Sequence, residues 1–145
     1  EGLITNCGQN GPIFVYNQAF EATCVRKLAD RFPNRSEALL AIVDRMVDLL
    51  PIARQHYYHP SQHGSWSIKA VLPAIAPDLS YDQLEGVADG AAAMEAYGEA
   101  IRPETTPERK EAIRHQLETY CRLDTFALVR LWQFFRGDNQ LLIDA

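Results

Sequence analysis

A predicted helix of about 30 residues near the end of the chain constrains the fold most. Thr106 is a favourable N-cap, and Pro107 follows at the first helical position, where a backbone N–H is not needed. The helical pattern continues to about Arg136. Steps of three or four residues place one set of positions on a single stripe of this helix. The set is Leu117, Cys121, Asp124, Leu128, Leu131 and Phe135.

A carboxylate lies in the middle of that apolar stripe. Burying the ionised side chain of Asp124 costs several kcal/mol unless a cation or several donors compensate it. Tyr120 lies one turn earlier on the same side of the helix. Two explanations stay open at this point. Either Asp124 pairs with an arginine such as Arg54 and Tyr120 packs in the core, or the two residues belong to a site.

Two short strands are predicted in the first third of the chain. Residues 11–17 begin with Gly-Pro, end with an asparagine and are rich in β-branched and aromatic side chains. The apolar spacing becomes helical at Gln18, and Pro33 ends that helix. Ser36 begins a second helix, and residues 46–50 are predicted as a second strand. The fold class is therefore α/β and helix-rich, with few strands and surrounding helices.

The middle of the chain is predicted to contain a loop and two helices. The loop covers residues 56–67, and the helices cover residues 68–77 and 89–101. A zinc site in the loop is disfavoured because Pro60 and Gly64 prevent a helical spacing of its histidines and no cysteine lies nearby.

Size and composition indicate an ordinary globular protein. The 145 residues, 47% hydrophobic and 23% charged, suit a single domain over residues 1–145. No apolar run is long enough to span a membrane. Three cysteines without paired spacing are expected to be packing residues in a reducing compartment, so we expect a cytoplasmic protein. The net charge of −5 disfavours binding that depends mainly on neutralising many phosphates.

The predicted junction between the first strand and its helix carries two polar residues. Asn17 ends the strand, and Glu21 falls in the first turn of the helix. Such junctions are where mixed sheets place ligand groups. A structural explanation is also available, because asparagine is a good N-cap and the helix dipole favours a first-turn glutamate by about 0.3 to 1 kcal/mol.

Taken together, the two segments resemble motifs of the DEDD-type exonucleases. Asn17, Phe20 and Glu21 are similar to the second acidic motif of that superfamily. Residues 120–125, "YCRLDT", resemble the tyrosine form of its third motif, Tyr-x-x-x-Asp. More closely, "FVYNQAFE", "YYHP", "GSWSIKAVLPAIAPDLSYDQLE" and "YCRLDT" resemble a bacterial domain-of-unknown-function family that is related to these exonucleases. The resemblance covers nearly the whole chain.

The resemblance implies a partial ribonuclease H-like fold and metal-dependent removal of nucleotides from a nucleic-acid 3′ end. Two Mg²⁺ or Mn²⁺ ions would act there, and hard oxygen ligands suit both. Glu21 and Asp124 are the expected metal ligands, and they are expected to approach within metal-bridging range. Tyr120 is expected to orient the attacking water. Asn17 and Lys69 are the candidates for contacting the substrate.

The chain departs from the superfamily pattern at two places. The second motif normally ends in aspartate, whereas this chain has Glu21, and the first motif, Asp-x-Glu, is absent because no aspartate is followed two residues later by a glutamate. We therefore expect the C-terminal portion of a domain whose first strands precede Glu1. The metal site would then be incomplete in this chain.

Three expectations about activity and partners follow from that incomplete pattern. This chain alone should be inactive, and its partner would be the remainder of its own polypeptide. Copies could also associate through an exposed strand edge. The alternative is a catalytically inactive exonuclease-like fold that serves as a binding or assembly module.

Overall fold

A computed structural model describes residues 1–79, 81, 84 and 86–138. The chain forms two compact units, Glu1–Tyr58 and His59–Ala145. Two such units are compatible with one domain or with two, so the single domain expected over residues 1–145 stays a prediction.

The first unit is a two-stranded parallel sheet with helices around it. Its strands pair in the register Ile13 with Met46, Phe14 with Val47 and Val15 with Asp48. Parallel strands need a long crossover connection, and two helices provide it here. The elements are α1 (Gly2–Cys7), β1 (Ile13–Val15), α2 (Gln18–Arg31), a 3₁₀ turn (Pro33–Arg35), α3 (Ser36–Asp44), β2 (Met46–Asp48) and α4 (Leu49–His56). The prediction of a helix-rich α/β fold is confirmed.

The core of the first unit lies between α2 and α3. Ala22, Val25 and Ala29 form the buried face of α2. They are spaced three or four residues apart, and the two alanines let the helices approach closely. The buried residues of α3 that pack against them are Leu39, Ile42 and Val43.

The carboxylate of Asp48 joins three elements of this unit. Its Oδ1 accepts hydrogen bonds from the backbone N–H groups of Asn17 and Leu50, both at 3.0 Å, and its Oδ2 accepts one from that of Gln18 at 2.9 Å. One side chain therefore caps the first turns of both α2 and α4. The predicted strand over residues 46–50 is too long by two residues, because this cap starts α4 at Leu49.

The second unit contains three α-helices among its described residues. They are α5 (Ile68–Ile75), α6 (Gly90–Ala100) and α7 (Pro107–Arg136), and a 3₁₀ turn (Pro60–Gln62) precedes them. Thr106 Oγ1 accepts a hydrogen bond from the Arg109 N–H at 3.3 Å, and Gly137 ends α7 in the left-handed conformation, at φ 86°. The prediction of this long helix from Thr106 to about Arg136 is confirmed.

The buried stripe of α7 differs from the predicted one. Ile113, Ala127 and Leu131 are its buried residues, whereas Cys121 is exposed. The stripe is therefore turned toward Tyr120, which packs against the buried cluster of Leu72, Ala76, Tyr81 and Ala127. The expectation that the cysteines are packing residues is wrong for Cys121 and also for Cys24, because both are exposed.

No helix in the described part of the chain is both long and apolar enough to cross a membrane. The cytoplasmic location and the association of copies through a strand edge stay predictions.

Replacing Asp48 by alanine should destabilise the first unit by about 2 to 4 kcal/mol, because three backbone donors lose a charged acceptor. Urea denaturation followed by circular dichroism measures the free energy of unfolding. Asp44→Ala removes an exposed carboxylate at the end of α3 and should change that free energy by no more than about 0.5 kcal/mol. Equal losses in the two variants would show that Asp48 does not hold the unit together.

Candidate functional site

Asp124 is half-buried on α7, and a tyrosine from another segment holds its carboxylate. The hydroxyl of Tyr81 donates a hydrogen bond to Asp124 Oδ1 at 2.5 Å, across 43 residues of sequence. Tyr81 itself is only 6% exposed and belongs to the core of the second unit. A donor fixed by core packing offsets part of the cost of burying the carboxylate and also orients it.

Tyr120 completes a pair of phenols next to this carboxylate. Its ring centroid lies 6.3 Å from that of Tyr81, with an interplanar angle of 53°. Burial, together with the charge of Asp124 and its hydrogen bond with the phenol, raises the pKa of Tyr120 to about 12. Burial and the hydrogen bond to Asp124 raise the pKa of Tyr81 further above its ordinary value. Both phenols are therefore protonated at neutral pH, so they act as hydrogen-bond donors rather than bases.

Lys69 of α5 lies over the Tyr81 ring. Its ammonium is 5.4 Å from the ring centroid, within the range of a cation–π contact. The same Nζ donates a hydrogen bond to the carbonyl oxygen of Ala88 at 2.6 Å. Three of the predicted site residues, Lys69, Tyr120 and Asp124, are thus grouped around Tyr81. The predicted contact of Lys69 with a substrate stays a prediction.

The other two predicted site residues belong to the first unit. Asn17 occupies the N-cap position of α2 in the left-handed conformation, at φ 76° and ψ 63°. Asparagine tolerates this conformation better than most residues. Asn17 is therefore the N-cap residue, as the structural explanation has it, but within the described residues its side chain makes no capping hydrogen bond. Asp48 caps the helix instead, and Glu21 follows half-buried in the first turn.

Tyr16, which precedes Asn17, lies near one positively and one negatively charged side chain. The pKa of Tyr16 is raised to about 12, and burial is the largest cause. The positive charge of Arg54 opposes this rise in the pKa, and the negative charge of Asp48 adds to it. Tyr16 is therefore also protonated at neutral pH. The junction between β1 and α2 combines a phenol, a cation and a carboxylate.

The donor chemistry of the predicted metal ligands fits Mg²⁺ and Mn²⁺, which prefer the carboxylate oxygens of Glu21 and Asp124. In the part of the chain that the structure describes, no group of three or more His, Cys, Asp or Glu side chains could hold an ion. The two carboxylates belong to different units, so their approach stays a prediction.

Sequence reasoning missed Asp48 and Tyr81. Asp48 precedes Leu-Leu-Pro, and an aspartate ahead of a proline in the first helical turn is a recognisable capping signal. Tyr81 carries no comparable signal, since its partner lies 43 residues away.

The coupling free energy between Tyr81 and Asp124 should be about 1 to 2 kcal/mol, because the phenol donates to an ionised acceptor. The measurement is a double-mutant cycle with Tyr81→Phe and Asp124→Asn, read by urea denaturation at neutral pH. Tyr97→Phe removes an exposed hydroxyl from α6 and should show no coupling with Asp124→Asn. Additive effects of Tyr81→Phe and Asp124→Asn would contradict the contact.

Alkaline pH should destabilise the chain, and Tyr120 should contribute to the loss. The folded-state pKa of Tyr120, about 12, lies above the ordinary value of 10.0. The unfolded state therefore loses this proton first. The stabilisation is fully present below about pH 10 and is lost as the pH rises toward about 12.

The free energy of unfolding, measured by urea denaturation across that pH window, should fall less steeply in Tyr120→Phe than in the unaltered chain. Tyr97→Phe is the matched control and should follow the unaltered chain. An identical slope in Tyr120→Phe would show that the Tyr120 phenol is not perturbed.

The comparisons with known proteins reach only the first part of this chain. Residues 1–67 match the family described as "Domain of unknown function (DUF2779)". The match includes Asn17 and Glu21 and ends before Lys69, Tyr120 and Asp124. No curated protein and no solved structure matches the chain. Residues 1–67 are thus similar to a family without an assigned function, and the relation to exonucleases rests on the motif resemblance.

Proposed function

We propose that this chain is part of a metal-dependent 3′–5′ exonuclease that removes nucleotides from nucleic-acid ends. The observation that carries the proposal is the half-buried carboxylate of Asp124, one turn from Tyr120 and held by Tyr81. Packing alone does not account for this carboxylate, because an apolar side chain in the α7 stripe would avoid its desolvation cost. A chemical role does account for it.

In this proposal Asp124 and Glu21 are oxygen ligands of Mg²⁺ or Mn²⁺. When bound, two such ions activate a water molecule and stabilise the charge on the leaving oxygen. Tyr120 orients the attacking water: its raised pKa keeps the phenol protonated, and the single O–H that bonds Asp124 in this structure would turn to the water. Lys69 and Asn17 contact the substrate strand. An ammonium has three donors, so the bond from Lys69 to Ala88 leaves two for a phosphate oxygen.

The charge balance makes further acidic residues part of the proposal. Two divalent ions carry four positive charges, whereas Glu21 and Asp124 supply two negative ones. The remaining acids would come from the rest of the polypeptide, in the form of an Asp-x-Glu strand that precedes Glu1. The 145 residues alone are then expected to bind metal weakly and to leave the transition-state charge unsupported.

The polypeptide lengthened upstream through such a strand should shorten a 5′-end-labelled single-stranded oligonucleotide with Mn²⁺ or Mg²⁺, whereas the 145 residues alone should not. Asp124→Asn should lower the rate by orders of magnitude because it removes a ligand charge. Tyr120→Phe should cost less, since it removes one hydroxyl and keeps the ring. Digestion products separated on a gel give the rates.

Glu95→Gln is the matched control for this assay, because it neutralises an exposed carboxylate on α6, and it should act like the unaltered protein. An extended protein that is inert with every divalent metal would contradict the proposal. So would full activity of Asp124→Asn.

One observation favours the alternative, a catalytically inactive fold that serves as a binding or assembly module. Met94, Tyr97 and Ile101 lie on one face of α6 and its end and are 76%, 60% and 64% exposed. A contiguous apolar face of this kind is typical of an interaction surface. An inert extended protein in the nuclease assay would favour this alternative.

A further inference from the structure

Gly98 lies inside helix α6, and nothing in its own chain accounts for a glycine there. Glycine destabilises a helix interior relative to alanine, because it loses more conformational freedom on folding. Gly98 is not among the residues with a positive φ. In the part of the chain that the structure describes, a Cβ built on Gly98 would meet nothing within 4 Å beyond its chain neighbours and the backbone of α6. Close packing within the chain therefore does not require this glycine, whereas the approach of a partner from outside would.

Gly98 shares one face of α6 with three apolar residues. Ala91, Met94, Gly98 and Ile101 follow one another at steps of three, four and three residues, which places them on one side of the helix. We call these four residues the outer face of α6. Its two large side chains, Met94 and Ile101, are strongly exposed, and Ala91 is exposed as well. The outer face therefore offers two projecting side chains next to two places without one.

The order of sizes along the outer face makes it complementary to itself. From Ala91 to Ile101 the residues alternate small, large, small, large. A second α6 in the antiparallel direction would place its Met94 opposite Gly98 and its Ile101 opposite Ala91, so large side chains would fill the space above small residues. A parallel second helix would place Met94 against Met94 and Gly98 against Gly98. The pattern therefore favours the antiparallel pair, in which the same face serves both copies.

Opposite charges lie beside the outer face. Glu95 and Arg102 are exposed, and the C-cap Ile101 keeps a right-handed helical conformation, so the two residues lie about two turns apart on one side of α6. Neither forms an ion pair with another of the residues that the structure describes. Both oxygens of Glu99 are bonded to Arg109. In the antiparallel pair, Glu95 of one copy and Arg102 of the other lie on the same side, so their charges attract.

We propose that the outer face of α6 binds the same face of a second copy of this chain, in the antiparallel direction and with Met94 packed over Gly98. The inference goes beyond the proposed function and does not depend on it. A nucleic acid or an anionic membrane is a poor occupant of this face, because the two charged residues within α6, Glu95 and Glu99, are both acidic.

The size of α6 sets the strength of the pair. A helix of 11 residues is about 16 Å long. A contact of two such helices buries less than the roughly 1,600 Å² of a standard stable interface. The dimer is therefore weak, with an expected dissociation constant on the order of 100 µM.

Sedimentation equilibrium of the polypeptide that the gene encodes, whether or not it extends beyond these 145 residues, tests the pair. Between about 5 and 500 µM, a range around the expected constant, the mean mass should rise from that of one copy toward that of two. Met94→Glu should weaken association about tenfold or more, because it places a charge in the contact. Leu40→Glu is the matched control, since it alters an exposed apolar side chain of α3, and it should associate like the unaltered chain.

A monomer at every concentration would contradict the inference. So would equal association of Met94→Glu and the unaltered chain, which would point to another surface such as a strand edge. Both substituted side chains are exposed, so the variants should fold, and circular dichroism verifies this.

Gly98→Gln separates association from stability. Glutamine is the better helix former, so the melting temperature of the dilute monomer should rise by roughly 1 to 4 °C. Its side chain would occupy the space above residue 98 that the second copy's Met94 needs, so association should weaken about tenfold. Unchanged association in Gly98→Gln would contradict the packing of Met94 over Gly98.

Charge reversal tests the direction of the pair. Glu95→Arg and Arg102→Glu should each weaken association about fivefold, because each places like charges together at two equivalent positions. The double variant restores opposite charges and should associate within about twofold of the unaltered chain. A double variant as weak as the two single effects combined would contradict the antiparallel pair.

Discussion

The candidate site depends on one interaction, the hydrogen bond that compensates the burial of the Asp124 carboxylate within the apolar stripe of α7. An ionised Asp124 without a donor would leave a half-buried charge unpaired, and such charges cost several kcal/mol. Tyr81 supplies the donor, and the same burial that places its hydroxyl keeps the phenol protonated. The grouping of Lys69, Tyr120 and Asp124 follows, because all three contact or face Tyr81.

In the first unit, the carboxylate of Asp48 likewise joins two segments of the chain through hydrogen bonds. The parallel register places Val15 opposite Asp48, so the Asp48 side chain reaches the residues that follow β1. Its hydrogen bonds to the Asn17 and Gln18 N–H groups fix the start of α2 and hence the turn that carries Glu21. In both units, a polar side chain from a different segment positions the predicted site residues.

The sequence predicted the elements whose signals are local. The Thr106 and Pro107 cap placed the start of α7 correctly, and the change in apolar spacing at Gln18 placed the start of α2. The buried stripe of α7 is turned by about one residue relative to the predicted stripe. The prediction counted Cys121 as a buried apolar residue, but Cys121 is exposed, and the small Ala127 packs against α5 instead. Small residues give weak hydrophobic signals and pack where helices approach most closely.

The contacts that define the candidate site could not be read from the sequence. Tyr81 and Asp124 are separated by 43 residues, and Asn17 and Asp48 by 31. No periodicity links positions that far apart, since such contacts arise only when helices and strands pack. The Tyr-x-x-x-Asp spacing indicated two residues on one helix face, and the tyrosine that orients the aspartate became visible only in the folded chain.

Crystals grown with Mn²⁺ and measured at a wavelength with a strong manganese anomalous signal test the central claim, that Asp124 is a metal ligand, most directly. The account predicts an anomalous peak at coordination distance, roughly 2.0 to 2.2 Å, from oxygens of both Asp124 and Glu21. Two carboxylates separated by more than about 12 Å could not serve one two-metal site, whose ions lie about 4 Å apart. That separation, or a peak bound elsewhere with none at Asp124, would contradict the account.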